Sequence, residues 1–117
     1  MRMWMINPKF LCDKHLLGEH GEIHKHRHCF LKRHNINGRI KPVVQIEPKS
    51  MSVRHDILAA ELLRRGFKHQ SAYIMPDINY LPEDLRDVKV DKDLSIRDLV
   101  SRCSECAKNL RGVKEYA

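Results

Sequence analysis

The fold is decided by residues 12–30, which read CDKHLLGEHGEIHKHRHCF. Leu16, Ile23 and Phe30 recur every seven residues, which is close to two turns of an α-helix. They therefore form one apolar stripe along a predicted helix, and such a stripe normally packs against the core. The other helices and the loops are expected to assemble around this stripe.

A polar face borders that stripe. At about 100° per residue, His15, Glu19, Glu22 and His26 fall within about 60° of one another around the predicted helix. Carboxylates at the edge of a core can act as an acid, a base or a stabiliser of a cation. A plain alternative is a His–Glu pair on a helix surface, which contributes only a few tenths of a kcal/mol. The spacing alone leaves both interpretations open.

Three stretches show helical patterning. We expect the first helix to begin around Asn7-Pro8 and to end near residues 33–34, with a break near Gly18 or Gly21. The second follows residues 48–50 and closes at Gly66, and the third runs from Ser95 to Gly112. Residues 67–94 predict an ordered loop with one helical turn, and residues 39–46 have β-like character that a proline weakens. The prediction is an all-α fold, a single compact domain over residues 1–117 with three main helices, an extended N-terminal segment and ordered loops.

The charge balance favours a polyanionic partner. Among the 117 residues, Lys and Arg number 22 against 15 Asp and Glu, which gives a net charge of +7 and a pI near 9.4. Nucleic acid, an acidic membrane surface or a merely basic solvated surface would each account for this excess. No apolar run approaches the roughly 20 residues of a membrane span. We therefore expect no membrane partner and a cytoplasmic or nucleoid-associated intracellular protein, encoded by a cell or a virus, with reduced cysteines.

The histidines offer a rival interpretation. His20, His24 and His28 recur every four residues, and His-x3-His can hold a transition metal. Cys103-x2-Cys106 supplies one pair of thiols rather than the two pairs of a typical structural zinc site. Solvent-facing histidines near DNA phosphates would explain the same pattern, and no metal ligands are assigned.

Residues 12–22 resemble the helix of the pyrimidine-dimer DNA glycosylases, the endonuclease V type first known from a bacteriophage. His15, Leu16, Glu19 and Glu22 match the His-Leu-x-x-Glu-x-x-Glu signature of that helix. Later segments are similar in the same order along the chain, including residues 33–38, 61–67, 77–86 and Arg102. The resemblance covers roughly residues 1 to 108, and the opening resembles the cellular branch of the family.

The resemblance implies a bifunctional DNA repair enzyme that needs no cofactor. The family's N-terminal α-amine attacks C1′ of a damaged nucleotide, displaces the base and forms a Schiff base, and elimination then cuts the strand. An α-amine suits this chemistry because its ordinary pKa is near 8. By the resemblance, Met1 would be the nucleophile and Glu22 the essential carboxylate. His15 would position the sugar or the Schiff base, and Glu19 would orient the helix or the amine.

The implied partner is damaged double-stranded DNA, bound by a monomer. By the same resemblance, the phosphate-binding residues would be Arg2, Lys14, Lys25, Arg27 and Arg102. The phage enzyme has arginines where this chain has Gly21 and Lys25, and it has an aromatic-rich tail where this chain has only Tyr116. The expected substrates are therefore cyclobutane pyrimidine dimers, another damaged base or an abasic site.

Two alternatives remain open beside a glycosylase with abasic-site lyase activity. One is a non-catalytic, basic DNA-binding module of the same fold. The other is a metal-dependent protein built on His20, His24 and His28. Borohydride trapping distinguishes the first from the enzyme, and a bound metal would favour the second.

Overall fold

Helices make up the regular structure of the protein. A computed structural model describes residues 2–68 and 72–113. In order, the helices within those ranges are α1 (Asp13–Leu31), α2 (Met51–Arg64), α3 (Glu83–Arg86), α4 (Lys92–Arg102) and α5 (Ser104–Leu110). No strand occurs in these two ranges, so the predicted all-α class is confirmed.

The first helix starts later than predicted and is not broken. The expected start is a separate 3₁₀ turn over Pro8–Phe10, capped by the Asn7 side chain, and α1 begins only at Asp13. The helix then continues through Gly18 and Gly21, so the expected break is wrong. Each glycine costs a helix interior about 0.5–1 kcal/mol relative to alanine, an amount that burial of one face readily offsets.

The second helix ends as the sequence predicts. Gly66 has a φ of +89°, the left-handed conformation that favours glycine after a helix. The following N–H, from Phe67, donates to the carbonyl of Leu62 at 3.0 Å and completes the terminal turn. Leu58 and Leu62 of α2 are buried in the same apolar core as the α1 stripe. The two longest helices therefore share one core.

The predicted third helix is two helices. The first of them, α4, is capped by Asp91, whose side chain accepts from the N–H of Leu94 at 3.2 Å. Ser95, the predicted start, lies buried inside α4. Cys103 then adopts an extended conformation, with φ −137° and ψ 112°, and separates α4 from α5. Both the predicted start and the predicted continuity to Gly112 are wrong.

An extended segment before α1 crosses the core. Met3 is fully buried, and its N–H donates to the carbonyl of Gln45 at 2.8 Å. This backbone contact joins the N-terminal segment to residues 39–46, which form no strand in the described structure. Glu47 holds the segment between α3 and α4, because its carboxylate accepts a hydrogen bond from the N–H of Val90 at 2.7 Å. Within the loop predicted over residues 67–94, the described part contains the expected short helix, α3.

Candidate active site

A cavity of about 830 Å³ opens beside the first turns of α1. Four parts of the chain line it: the extended N-terminal segment, α1, the loop that carries Val43 and Gln45, and α4. Its walls include Arg2, Trp4, Lys14, His15, Gly18, Asp98 and Arg102. The cavity therefore gathers four residues that the sequence assigned to catalysis or to DNA binding, namely Arg2, Lys14, His15 and Arg102.

Arg2 bridges two walls of this cavity. One of its terminal nitrogens lies 3.3 Å from Asp98 Oδ2, and the other donates to Ser95 Oγ at 3.3 Å. The guanidinium also lies over the Trp4 ring, 4.8 Å from its centroid. Arg2 Nε is buried and has no hydrogen-bond acceptor among the described residues.

Glu22 lies one helical turn beyond Gly18 on α1 and is buried. His26 Nδ1 lies 3.5 Å from Glu22 Oε1 and donates to the backbone carbonyl of Glu22 at 2.9 Å. Burial lowers the pKa of His26, and its hydrogen bond to the Glu22 carbonyl only partly opposes this effect. The His26 imidazole beside the Glu22 carboxylate is therefore uncharged near neutral pH.

Glu19 has a different environment. It is fully buried, and its two oxygens accept from Arg54 Nε at 2.6 Å and Nη2 at 2.9 Å. Arg54 also donates from Nη1 to the carbonyl of Ile6 at 2.7 Å. The pair ties α1 to α2 and to the N-terminal segment, and both carboxylate oxygens are used in doing so.

The remaining predicted DNA-binding residues lie away from the cavity. Lys25 is exposed three helical turns beyond Lys14, on the same side of α1. Arg27 points elsewhere, and its Nε donates to the carbonyl of Ile74 at 2.6 Å, which anchors the segment after α2. Met1, the predicted nucleophile, lies outside the described residues.

Three cysteines and a histidine meet at the first turn of α1. Their ligand atoms all lie within 4.8 Å of one another: Cys12, His15, Cys103 and Cys106. Burial raises the pKa of Cys106 to about 12, whereas the backbone N–H of Cys106 lowers the pKa of Cys103. Burial also lowers the pKa of His15. This sulfur cluster is a Cys3His donor set that the sequence analysis did not assemble.

A second cluster contains imidazoles only. His20 and His24 meet His55 of α2, with ligand atoms within 4.8 Å, and the Nε2 atoms of His24 and His55 are 3.1 Å apart. His28, the third histidine of the predicted group, is exposed and faces His34 instead, at 6.2 Å between ring centroids. The predicted grouping is therefore corrected: His55 of α2 takes the place of His28, which lies about two helical turns beyond His20 along α1.

Comparison with known families places the chain. Residues 1–75 match the family described as pyrimidine dimer DNA glycosylase, which is more than half of the 117 residues. The protein belongs to this family. Searches of curated proteins and of solved structures returned no match. A DNA glycosylase family implies a DNA substrate, and DNA is a polyanion, which is consistent with the basic residues of the cavity.

The matched region of this glycosylase family member carries α1 and α2, but α4 and α5 lie beyond it. The cavity wall formed by α4 therefore lies outside the match, and so do Cys103 and Cys106 of the sulfur cluster. A Cys-x2-His and a Cys-x2-Cys pair were visible in the sequence, at residues 12–15 and 103–106. The two pairs lie about 90 positions apart, so the sequence alone does not show that they form one cluster; the tertiary structure brings them together. No helix in the described ranges is long and apolar enough to cross a membrane.

Proposed function

We propose that this protein is a DNA glycosylase with abasic-site lyase activity that works through its N-terminal α-amine. The observation that carries the proposal is the cavity, because residue 2, His15 and a basic residue of α4 line one space next to the turn that bears Glu22. Met1, which bears the proposed nucleophile, is bonded directly to Arg2, a residue of the cavity wall. The family match to a DNA glycosylase supports the substrate class.

In the proposed reaction, the neutral α-amine of Met1 attacks C1′ of the damaged nucleotide. The C1′–N bond breaks, and the base leaves with the electron pair and takes a proton from solvent. The C1′–O4′ bond then breaks, one amine proton passes to O4′, and the open sugar remains bound as a protonated Schiff base. The carboxylate of Glu22 then accepts the C2′ proton, and the C3′–O bond breaks with departure of the phosphate. Glu22 is suited to stabilise the positive sugar, since it is a buried carboxylate whose neighbouring imidazole, His26, is neutral.

The other proposed roles follow from position. His15 lines the cavity, where it would orient the sugar. Arg2, which lines the cavity, and the exposed Lys14 and Arg102 would hold the flanking phosphates. Glu19 would act indirectly, by fixing α1 through Arg54.

Borohydride reduction tests the amine directly. We expect covalent trapping of the protein on duplex DNA with an abasic site or a cyclobutane dimer, and no trapping on intact duplex. Acetylation of the α-amine, or an extension before Met1, should abolish trapping, whereas the same extension after residue 117 should not. A protein that binds abasic DNA tightly and never traps would be a non-catalytic DNA-binding module, and the Schiff-base proposal would be wrong.

A matched pair of variants tests the carboxylate. Glu22→Gln should slow strand cleavage by about 100-fold or more and leave DNA binding largely intact, since general base catalysis contributes about 10²–10⁴-fold. Glu83→Gln, which removes an exposed carboxylate from α3, serves as the control and should cleave normally. Unchanged cleavage by Glu22→Gln would remove Glu22 from the mechanism.

A further inference from the structure

We propose that Cys12, His15, Cys103 and Cys106 form a closed, tetrahedral Cys3His site for a zinc ion. The site shares His15 with the candidate active site, whose proposed glycosylase chemistry uses no metal. Its role is structural: the ion would hold α5 and the end of α4 against the first turn of α1.

The distances between the donor atoms fit such an ion. A tetrahedron with Zn–S bonds of about 2.3 Å and Zn–N bonds of about 2.0–2.1 Å has S···S edges of about 3.8 Å and S···N edges of about 3.6 Å. Cys12 Sγ and Cys103 Sγ lie 3.8 Å apart, and Cys106 Sγ lies 3.6 Å from His15 Nδ1. Cys12 Sγ to His15 Nδ1 is tighter, at 3.1 Å. The four donor atoms, which all lie within 4.8 Å of one another, are thus already close to the vertices of one coordination tetrahedron.

The backbone around the cluster is built to support thiolates. The N–H of Cys12 points at Cys106 Sγ at 3.3 Å, and the N–H of Cys106 points at Cys103 Sγ at 3.5 Å. Such donors compensate the negative charge that a sulfur carries as a metal ligand. Cys106 has no exposed surface, so its thiolate needs a cation close by.

The donor set also identifies the metal and the kind of site. Three thiolates and one imidazole are a common ligand set for structural zinc. The chain supplies them as one Cys-x2-His pair and one Cys-x2-Cys pair, and the two-residue gap is typical of zinc-binding turns. Four protein ligands leave no open position for water or substrate, which distinguishes a structural site from a catalytic one. A disulfide between Cys12 and Cys103 is the competing use of these groups, and it would leave Cys106 as a buried thiol beside it.

The ion would shape the candidate active site without entering its chemistry. Arg102 immediately precedes Cys103, and Asp98, which pairs with Arg2, lies one turn earlier on α4. Fixing Cys103 and Cys106 to α1 therefore fixes the α4 wall of the cavity. A metal on His15 Nδ1 also leaves the proton of that ring on Nε2, as a hydrogen-bond donor.

Metal analysis of the full-length protein tests the site. Protein purified from zinc-supplemented medium should contain about one zinc per chain, and Cys103→Ser and Cys106→Ser should each bring this below about 0.1 per chain. Cys29→Ser is the matched control, because Cys29 is the fourth cysteine of the chain and lies outside the cluster. His55→Gln tests the imidazole cluster as an alternative location of the ion.

Cobalt substitution keeps the test valid should the serine variants fail to fold. Cobalt in the wild-type protein should give thiolate-to-cobalt charge-transfer bands and the intense visible bands of tetrahedral coordination. The proposal would be overturned by metal-free protein with four reactive thiols, by loss of two thiols to a disulfide, or by metal that survives Cys103→Ser but not His55→Gln. None of these readouts depends on DNA cleavage, so the glycosylase proposal can fail or succeed independently.

Discussion

Glu19 of α1 and Arg54 of α2 form a buried ion pair with two hydrogen bonds, of 2.6 and 2.9 Å. Glu19 belongs to the polar face of α1, yet it faces α2 and does not line the cavity. This geometry separates two glutamates that the sequence places side by side. Glu19 is tied to an arginine, whereas Glu22 lies near a neutral histidine.

We expect Glu19→Gln to act mainly on stability. Removing one partner of a buried ion pair leaves the other charge uncompensated, at a cost of about 3–5 kcal/mol. Chemical denaturation measures the loss, and Lys49→Ala, which breaks the exposed pair with Asp87, should change the free energy of unfolding little. Borohydride trapping per folded molecule should be retained in Glu19→Gln. A folded, stable variant that no longer traps would make Glu19 a direct participant.

Stability should fall on acidification, in part because of His26. Burial lowers the pKa of this histidine from 6.5 in the folded protein, whereas the unfolded chain keeps the ordinary value. Above about pH 6.5 neither state is protonated at this ring; below it the unfolded state binds more protons, so the free energy of unfolding decreases until pH passes the folded pKa. Denaturation from about pH 7.5 to about pH 5.5 should show the slope. His26→Gln should flatten it, and His28→Gln, an exposed position, should not.

The sequence predicts the local features of this fold better than its tertiary contacts. The apolar stripe of α1, the glycine after α2 and the all-α class follow from patterns within one helix. The break at Cys103 does not, because neither glycine nor proline marks it, and its extended conformation accompanies the approach of its sulfur to Cys12. The Glu19–Arg54 pair and the sulfur cluster join residues separated by 35 and 91 positions, and no local spacing reveals such pairs.

DNA binding should depend on salt through the cavity residues. Lys14 and Arg102 are exposed at its edge, and each is expected to neutralise one phosphate. Replacing either by alanine should make the slope of log K against log salt less negative by about 0.9. Fluorescence anisotropy with abasic duplex at several salt concentrations measures the slope. Lys108→Ala removes a charge from α5 that lies 3.8 Å from Glu105, and an equal change there would show that the effect is not specific to the cavity.

Trp4 offers a direct signal of cavity occupation. It is the single tryptophan of the chain, it lines the cavity, and its ring meets His15 edge-on at 5.7 Å. Binding of abasic duplex in this cavity should therefore alter the intensity or wavelength of tryptophan emission. Titration should give the same dissociation constant as anisotropy, and intact duplex should produce a smaller change. Unaltered emission at saturating abasic DNA would place the ligand elsewhere on the surface.

The bridge from Arg2 to Asp98 and Ser95, and the contact of Asn109 with the carbonyl of Phe10, span 93 to 99 positions of the chain. Contacts of such separation form late in folding, since a long loop must close before they bring any gain. During synthesis, α1 and α2 emerge with their shared core well before α4 does. A nascent chain can thus acquire a helical core while the candidate active-site cavity still lacks one wall, and the proposed activity would then arise only at the final stage of folding.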